Sequence, residues 1–175
     1  MKPVFILLTG LSGSGKTTLG SKLTSYYTTR GKKIIHLDGD IIRKKYHQSL
    51  GFSREDRQKQ LMQTGVLGVS YLKKGIPVIA SLIAPYHEDR IKIKEYIKNK
   101  GFHFILIHID CPIDICIQRD AKGLYKKALQ GRIKNFTGIN APYETPLHPD
   151  LVIMTHLLNP ELSMLKCITE KIIED

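Results

Sequence analysis

The chain is short of cysteines, of acidic residues and of long apolar runs, and each shortage removes a class of protein. Cys111, Cys116 and Cys167 are odd in number and show no C-x-x-C spacing. They read as free thiols of a reducing compartment, not as a disulfide framework. No apolar stretch approaches the roughly 20 residues that span a bilayer. The apolar stretch at 4–8 is short and leads into a glycine loop instead of a cleavage site, so no signal peptide is expected and the expected location is cytoplasmic. The seven histidines form no metal-ligand pattern, and His103 and His108, five apart on one expected strand, fall on opposite faces. Sixteen acidic residues face 27 basic ones, a formal net charge of +11. Such a balance suits nucleic acid or small polyanionic substrates. No recognised nucleic-acid module is present, so the reading is small-molecule substrates, with no nucleic acid and no membrane as partner. Internal repeats, low-complexity tracts and linkers are also missing, and 175 residues (1–175) are expected to form a single domain.

What is present is led by residues 10–17. Gly10-Leu11-Ser12-Gly13-Ser14-Gly15-Lys16-Thr17 matches G-x-x-x-x-G-K-S/T, a loop whose backbone N–H groups cradle phosphates. An apolar strand is expected at 4–9 and a helix at 18–29, with Leu19 and Leu23 on one face. Strand, glycine loop and helix is the order this chemistry requires, because the helix N-terminus adds its dipole to the inward-turned amides. In this setting Lys16 reaches the β- and γ-phosphates of a nucleoside triphosphate, and Thr17 offers its hydroxyl to Mg²⁺.

Downstream, strands and helices alternate. Strands are expected at 33–37, 77–81, 104–109 and 151–154. Helices are expected at 41–48, from Ser53 to about Lys74 (stopped by Gly75), at 88–100 (ended by Gly101), at 112–118, and from Asn159-Pro160-Glu161 onward. The alternation implies right-handed crossovers, hence an α/β fold: a parallel sheet with helices on both faces, of P-loop kinase type. Residues 119–149 are rich in Gly, Pro and Lys. They read as a mobile basic lid plus loop, with Arg119, Lys122, Lys126, Lys127, Arg132 and Lys134 to stabilise a transferring phosphoryl group on closure.

Asp38-Gly39-Asp40 follows the second strand. If the chain stays extended there, both carboxylates project the same way, at the strand end where open α/β sheets bind ligands. Phosphoryl transfer to a hydroxyl needs one group to orient that hydroxyl and another to hold Mg²⁺. Asp40 is assigned the first role and Asp38 the second, with Asp110, ending another apolar run, as a rival for the metal. Arg43 lies three residues beyond Asp40, on the same helical face. Arg57, Gln60 and Thr64 share another, and arginines so placed grip anionic acceptors.

With these pieces in place, the chain resembles the adenylylsulfate kinase family along most of its length. The matching segments are GLSGSGKTT at 10–18, LDGD at 37–40 with Arg43, GFSREDR at 51–57, IAPY at 83–86, RDAKGLYKKA at 119–128 and KNFTGINAPYETP at 134–146. The resemblance implies an ATP- and Mg²⁺-dependent kinase, dimeric, that phosphorylates the 3′-hydroxyl of adenosine 5′-phosphosulfate. It implies ATP contacts from Gly10, Ser12, Gly13, Ser14, Gly15, Lys16, Thr17 and Thr18, with Arg119 beside the ATP base. It implies an acceptor site lined by Asp40, Arg43, Phe52, Arg57, Gln60, Ile83, Lys122, Phe136 and Ile139, with Phe136 stacked on the base. Departures gather on the acceptor side. Ile41 stands where the family usually has Asn, Gln60 where it has Asn, Met62 and Gln63 where it has two arginines, and Ala84 where Ser is common. Relatives in capsule biosynthesis that phosphorylate cytidine diphosphoramidate supply an alternative acceptor.

Overall fold

Six consecutive apolar or small residues make β1 (Val4–Thr9), and every one of them is buried. Such a strand has no face for water and must lie inside a sheet covered on both sides. The computed structural model, which describes residues 3–46 and 50–170, places it at the centre of five strands. These are β1, β2 (Ile35–Asp38), β3 (Val78–Ser81), β4 (His103–Asp110) and β5 (Leu151–Met154), in spatial order β2-β3-β1-β4-β5. All pairings are parallel, with Phe5 opposite Val78 on one side and Phe104 on the other.

The intervening helices are α1 (Lys16–Thr28), α2 (Gly39–Tyr46), α3 (Arg54–Leu72), α4 (His87–Asn99), α5 (Ile113–Arg119), α6 (Leu124–Leu129) and α7 (Pro160–Thr169). Alternation along β1 divides the core into two layers. Phe5 and Leu7 pack with Leu61, Leu72, Ile93 and Ile97 of α3 and α4. Ile6 and Leu8 pack with Leu19 and Leu23 of α1 and Cys167 of α7. Two helices approach the sheet closely enough to require glycine. A Cβ on Gly68 of α3 would lie 2.3 Å from the Phe5 ring, and one on Gly20 of α1 would lie 2.4 Å from His36.

The expected strands all form, each within two residues of its expected ends, and the helix caps fall where the residues indicate. The Ser53 side chain accepts from the Asp56 amide at 3.1 Å and Asn159 from that of Leu162 at 2.9 Å. The end of the helix expected at 41–48 lies outside the described residues. His103, at the start of β4, is exposed and His108 buried, and all three cysteines are free and buried. Burial raises Cys116 and Cys167 to about 12.

The 119–149 segment differs from its expected form. It contains helix α6, and Tyr125, Ala128 and Phe136 bury themselves there with Cys111 and Cys116 in a third small core. The local signal was a left-handed Gly123 ahead of Leu-Tyr-Lys-Lys-Ala-Leu, with Asp120 accepting from the Tyr125 and Lys126 amides at 3.0 Å each. No described helix is long and apolar enough to cross a membrane.

Candidate active site

The carboxyl ends of the strands open on a cavity of about 1270 Å³. Its floor is the 10–17 loop, which β1 delivers and α1 continues. Gly10, Gly13 and Gly15 have φ of +156°, +74° and +99°, values that side chains resist. At Gly10 the space is also closed, since a Cβ there would meet the Ile109 carbonyl oxygen at 2.4 Å. Ser12, Gly13, Gly15, Lys16, Thr17 and Thr18 line the cavity, while Ser14 is fully buried beneath it. Lys16 Nζ donates to the carbonyls of Gly10 at 2.9 Å and Leu11 at 2.6 Å. Burial lowers its pKa to about 8.

Thr17 Oγ1 donates to Asp38 Oδ2 at 2.6 Å. Asp38 ends β2, and its other oxygen accepts from the Asp40 amide at 3.0 Å and more weakly from that of Ile41. Burial pushes its pKa up, but the Thr17 hydroxyl and these two amides outweigh burial and hold the carboxyl below its ordinary value. This capping turns the chain into α2 at Gly39. The extended arrangement that would project Asp38 and Asp40 alike is therefore not what forms. Asp38 faces the phosphate loop, and Asp40 rises on the first turn of α2, where its carboxylate pairs with Lys122 from the 119–149 segment.

Beyond Asp40 lies an arginine-lined wall. Arg43 donates to the Gln60 carboxamide and to the Leu50 and Gly51 carbonyls at 2.9 and 2.6 Å. Arg57 donates to the carbonyls of Phe52 at 3.1 Å and Asn135 at 2.8 Å. The half-exposed Phe52 ring sits against both guanidinium groups, 4.8 and 5.5 Å from its centre. Gln60 completes the wall by donating to Gly39 O at 2.8 Å. Arg57, Gln60 and Thr64 are all buried on one face of α3, as their spacing predicts, although Thr64 lies below the cavity. Ile83 and Phe136 close the far side. Phe136 is only 5% exposed, its ring edge-on to Tyr125 at 5.0 Å.

Gly10, like Ser14, does not itself line this cavity, and two further expected residues lie elsewhere. Ile139 and Asp110 line a separate cavity of about 660 Å³ with Leu11, His108 and Tyr143. Ile139 is the correction on the acceptor side. The turn that brings Phe136 to the main cavity, with Ile139 N on Phe136 O at 3.1 Å, carries Ile139 away from it. Asp110 meets neither Thr17 nor the main cavity, because β4 lies on the opposite side of β1 from β3 and β2.

One part of the site was not foreseen. Residues 155–160 and Ser163, between β5 and α7, line the cavity beside Arg119. Thr155 Oγ1 donates to the Ser14 carbonyl at 2.6 Å, and Arg119 donates to the Thr155 carbonyl at 2.8 Å. The usable signal was position alone, since this segment leaves the carboxyl end of a parallel strand, where ligands collect. Among the described residues no three His, Cys, Asp or Glu side chains cluster as metal ligands.

A parallel sheet whose central strand feeds a glycine loop and a Lys-Thr helix start, with carboxylates where the next-but-one strand ends and α2 begins, defines a P-loop phosphotransferase acting on a hydroxyl group. Comparison with known proteins narrows the class. The family model for adenylylsulphate kinase matches residues 2–154, and the chain belongs to that family. It is 38% identical over 170 residues to the adenylyl-sulfate kinase of Clostridium kluyveri, covering 94% of this chain and 84% of that one. It is 44% identical over 154 residues to that of Oceanobacillus iheyensis, covering 88% and 76%. Among solved structures, the Mycobacterium tuberculosis APS kinase CysC in complex with AMPPNP and APS superposes with a TM-score of 0.94 at 31% identity, over 98% of this chain and 99% of that one.

Proposed function

We propose that this kinase transfers the γ-phosphoryl group of ATP to the 3′-hydroxyl of adenosine 5′-phosphosulfate. The observation that carries the reading is the place of Asp40. It stands between the phosphate loop and the Arg43–Phe52–Arg57–Gln60 wall, with the Lys122 ammonium on its carboxylate. An acceptor held by the wall presents its sugar hydroxyl to Asp40, and the loop presents the γ-phosphate of ATP from the other side. The bond from the β–γ bridging oxygen to phosphorus breaks as the hydroxyl oxygen bonds to that phosphorus. The hydroxyl proton passes to Asp40 or, through it, to water. A loose transition state asks little of a base, so orienting the hydroxyl is the larger part of the role. Lys16 and Lys122 carry positive charge to the phosphates, and Arg119 with the 155–158 segment faces the base of ATP.

The donor set fits Mg²⁺. A threonine hydroxyl and an ionised carboxylate already share one hydrogen bond at the start of α1, and hard oxygen donors are what this ion takes. Thr17 and Asp38 would hold it, and when bound it would neutralise phosphate charge. The 119–149 segment acts as the lid, and the protein works as a dimer in this reading.

The test is ATP consumption with purified protein and Mg²⁺, with adenosine 5′-phosphosulfate as acceptor and the new phosphate located by phosphorus NMR. Turnover with a 3′-phosphate product is expected. Turnover of cytidine diphosphoramidate alone, or a phosphate at another position, would overturn the reading.

A further inference from the structure

The Ile83–Pro85 edge of the cavity has a support that does not itself reach the cavity. Ala84 has φ of +43°, a left-handed conformation for a residue with a Cβ, which is strained and persists only where the surroundings enforce it. The nearer of two side-chain donors on its carbonyl is Arg90 of α4, 2% exposed in a chain where most arginines are surface residues; the other is Thr9 Oγ1 at 3.4 Å. The Arg90 guanidinium donates to Ala84 O and Glu144 O, each at 2.7 Å, and lies over the Tyr143 ring at 6.0 Å. Its Nε is buried without a partner. From the other side, Thr9 Oγ1 donates to Ile83 O at 2.6 Å and meets the Tyr143 hydroxyl at 3.1 Å. Glu144 returns a bond of 2.9 Å from its amide to Pro85 O.

We infer that Arg90 is a positioning residue for the acceptor: it bridges Ala84 and Glu144 and so holds residues 83–85 in the shape that the acceptor pocket needs. The inference rests on the acceptor reading proposed above. The strut joins three things the chain keeps apart: the edge of the pocket, the 143–145 stretch late in the 119–149 segment, and, through Tyr143, Thr9 at the root of the phosphate loop. Arg90 touches no reacting atom. Its influence runs through the Ala84 carbonyl, and it acts on the acceptor half of the site while the floor of the ATP half is built from other bonds.

The experiment compares wild type, Arg90→Lys, Arg90→Met, Ala84→Gly and Arg90→Met/Ala84→Gly. Lysine keeps the charge but cannot span both carbonyls. The Michaelis constant for adenosine 5′-phosphosulfate is expected to rise about 10-fold in Arg90→Met, with that for ATP changed less than about 2-fold. Glycine tolerates positive φ, so the rise caused by Arg90→Met is expected to be much smaller when it is made in Ala84→Gly, each double-variant value being read against Ala84→Gly alone. A purely structural arginine would raise both Michaelis constants together with a fall in Tm and would gain nothing from the glycine, and that result overturns the inference. Should Arg90→Met not fold, Arg90→Lys carries the same comparison. The Ala84 amide–Hα coupling and Cβ shift report φ without any substrate. They are expected to change in Arg90→Lys, and unchanged values there overturn the strut. If the wild type does not turn over adenosine 5′-phosphosulfate, the acceptor reading falls and this φ measurement alone decides the strut.

Discussion

Lys16 shows how far one residue could be read before its surroundings were known. The motif named it and gave it a role, but nothing in the spelling of the loop shows its ammonium tied to the Gly10 and Leu11 carbonyls, or its pKa brought down to about 8 by burial. A lysine poised there keeps its charge at neutral pH and loses it as the pH rises through that value. The free enzyme's kcat/KM for ATP is therefore expected to fall above about pH 8. Lys16→Arg, always charged, should lose this alkaline limb, and Lys16→Ala should lose turnover. A wild-type profile flat to about pH 9.5 would count against Lys16 as the phosphate-binding cation. Asp38 and Asp40 teach a related lesson. Their place beside the cavity was legible, but their directions were not, because period-two alternation holds only while the chain stays extended. The capping of α2 by the Asp38 carboxylate itself ends the strand between them. Ile139 went astray for a comparable reason, since a tight turn at 136–141 separates it from Phe136.

At the scale of elements, the strands and long helices were legible because each has a periodicity and a punctuating residue. Ser53 opens α3, Asn159 opens α7, and left-handed Gly75 and Gly101 follow α3 and α4. Helix α6 was not, because six residues with two adjacent lysines show no stripe, and it is held by Tyr125, whose hydroxyl donates to the Ser12 carbonyl at 2.9 Å. Glycine inside α3 was equally silent. A glycine in a helix interior normally weakens it, yet at Gly68 the helix lies against Phe5 with no room for a methyl group. Gly68→Ala is accordingly expected to destabilise the fold by about 1–3 kcal/mol despite its better helix propensity. Urea denaturation would show this as a lower midpoint at an unchanged slope, and an unchanged or higher midpoint would mean that α3 can slide off β1 at little cost.

For the whole molecule, the charge surplus and the cavity belong to one argument. A net +11 does not shape the fold, but Arg43, Arg57, Arg119, Lys16 and Lys122 all face the same cavity. Such a field draws in anionic substrates and is screened by salt. The kcat/KM for each nucleotide is expected to fall about 3-fold or more between about 0.05 and 0.3 M NaCl, with kcat little changed, as steady-state kinetics would show. Salt-independent values would mean that the surplus serves some other purpose. The order of the strands, with β1 in the middle, has a further consequence, for the time when the protein is being made. Val4 finds its partner at His103, and Phe5 finds one of its two at Val78. At a ribosomal pace of about 5–20 residues per second, the most apolar strand of the molecule waits ~5–20 s for the neighbours that will cover it. During that interval the phosphate loop has no sheet to stand on, and the nascent chain offers cellular chaperones a bare hydrophobic segment before it offers ATP a place to bind.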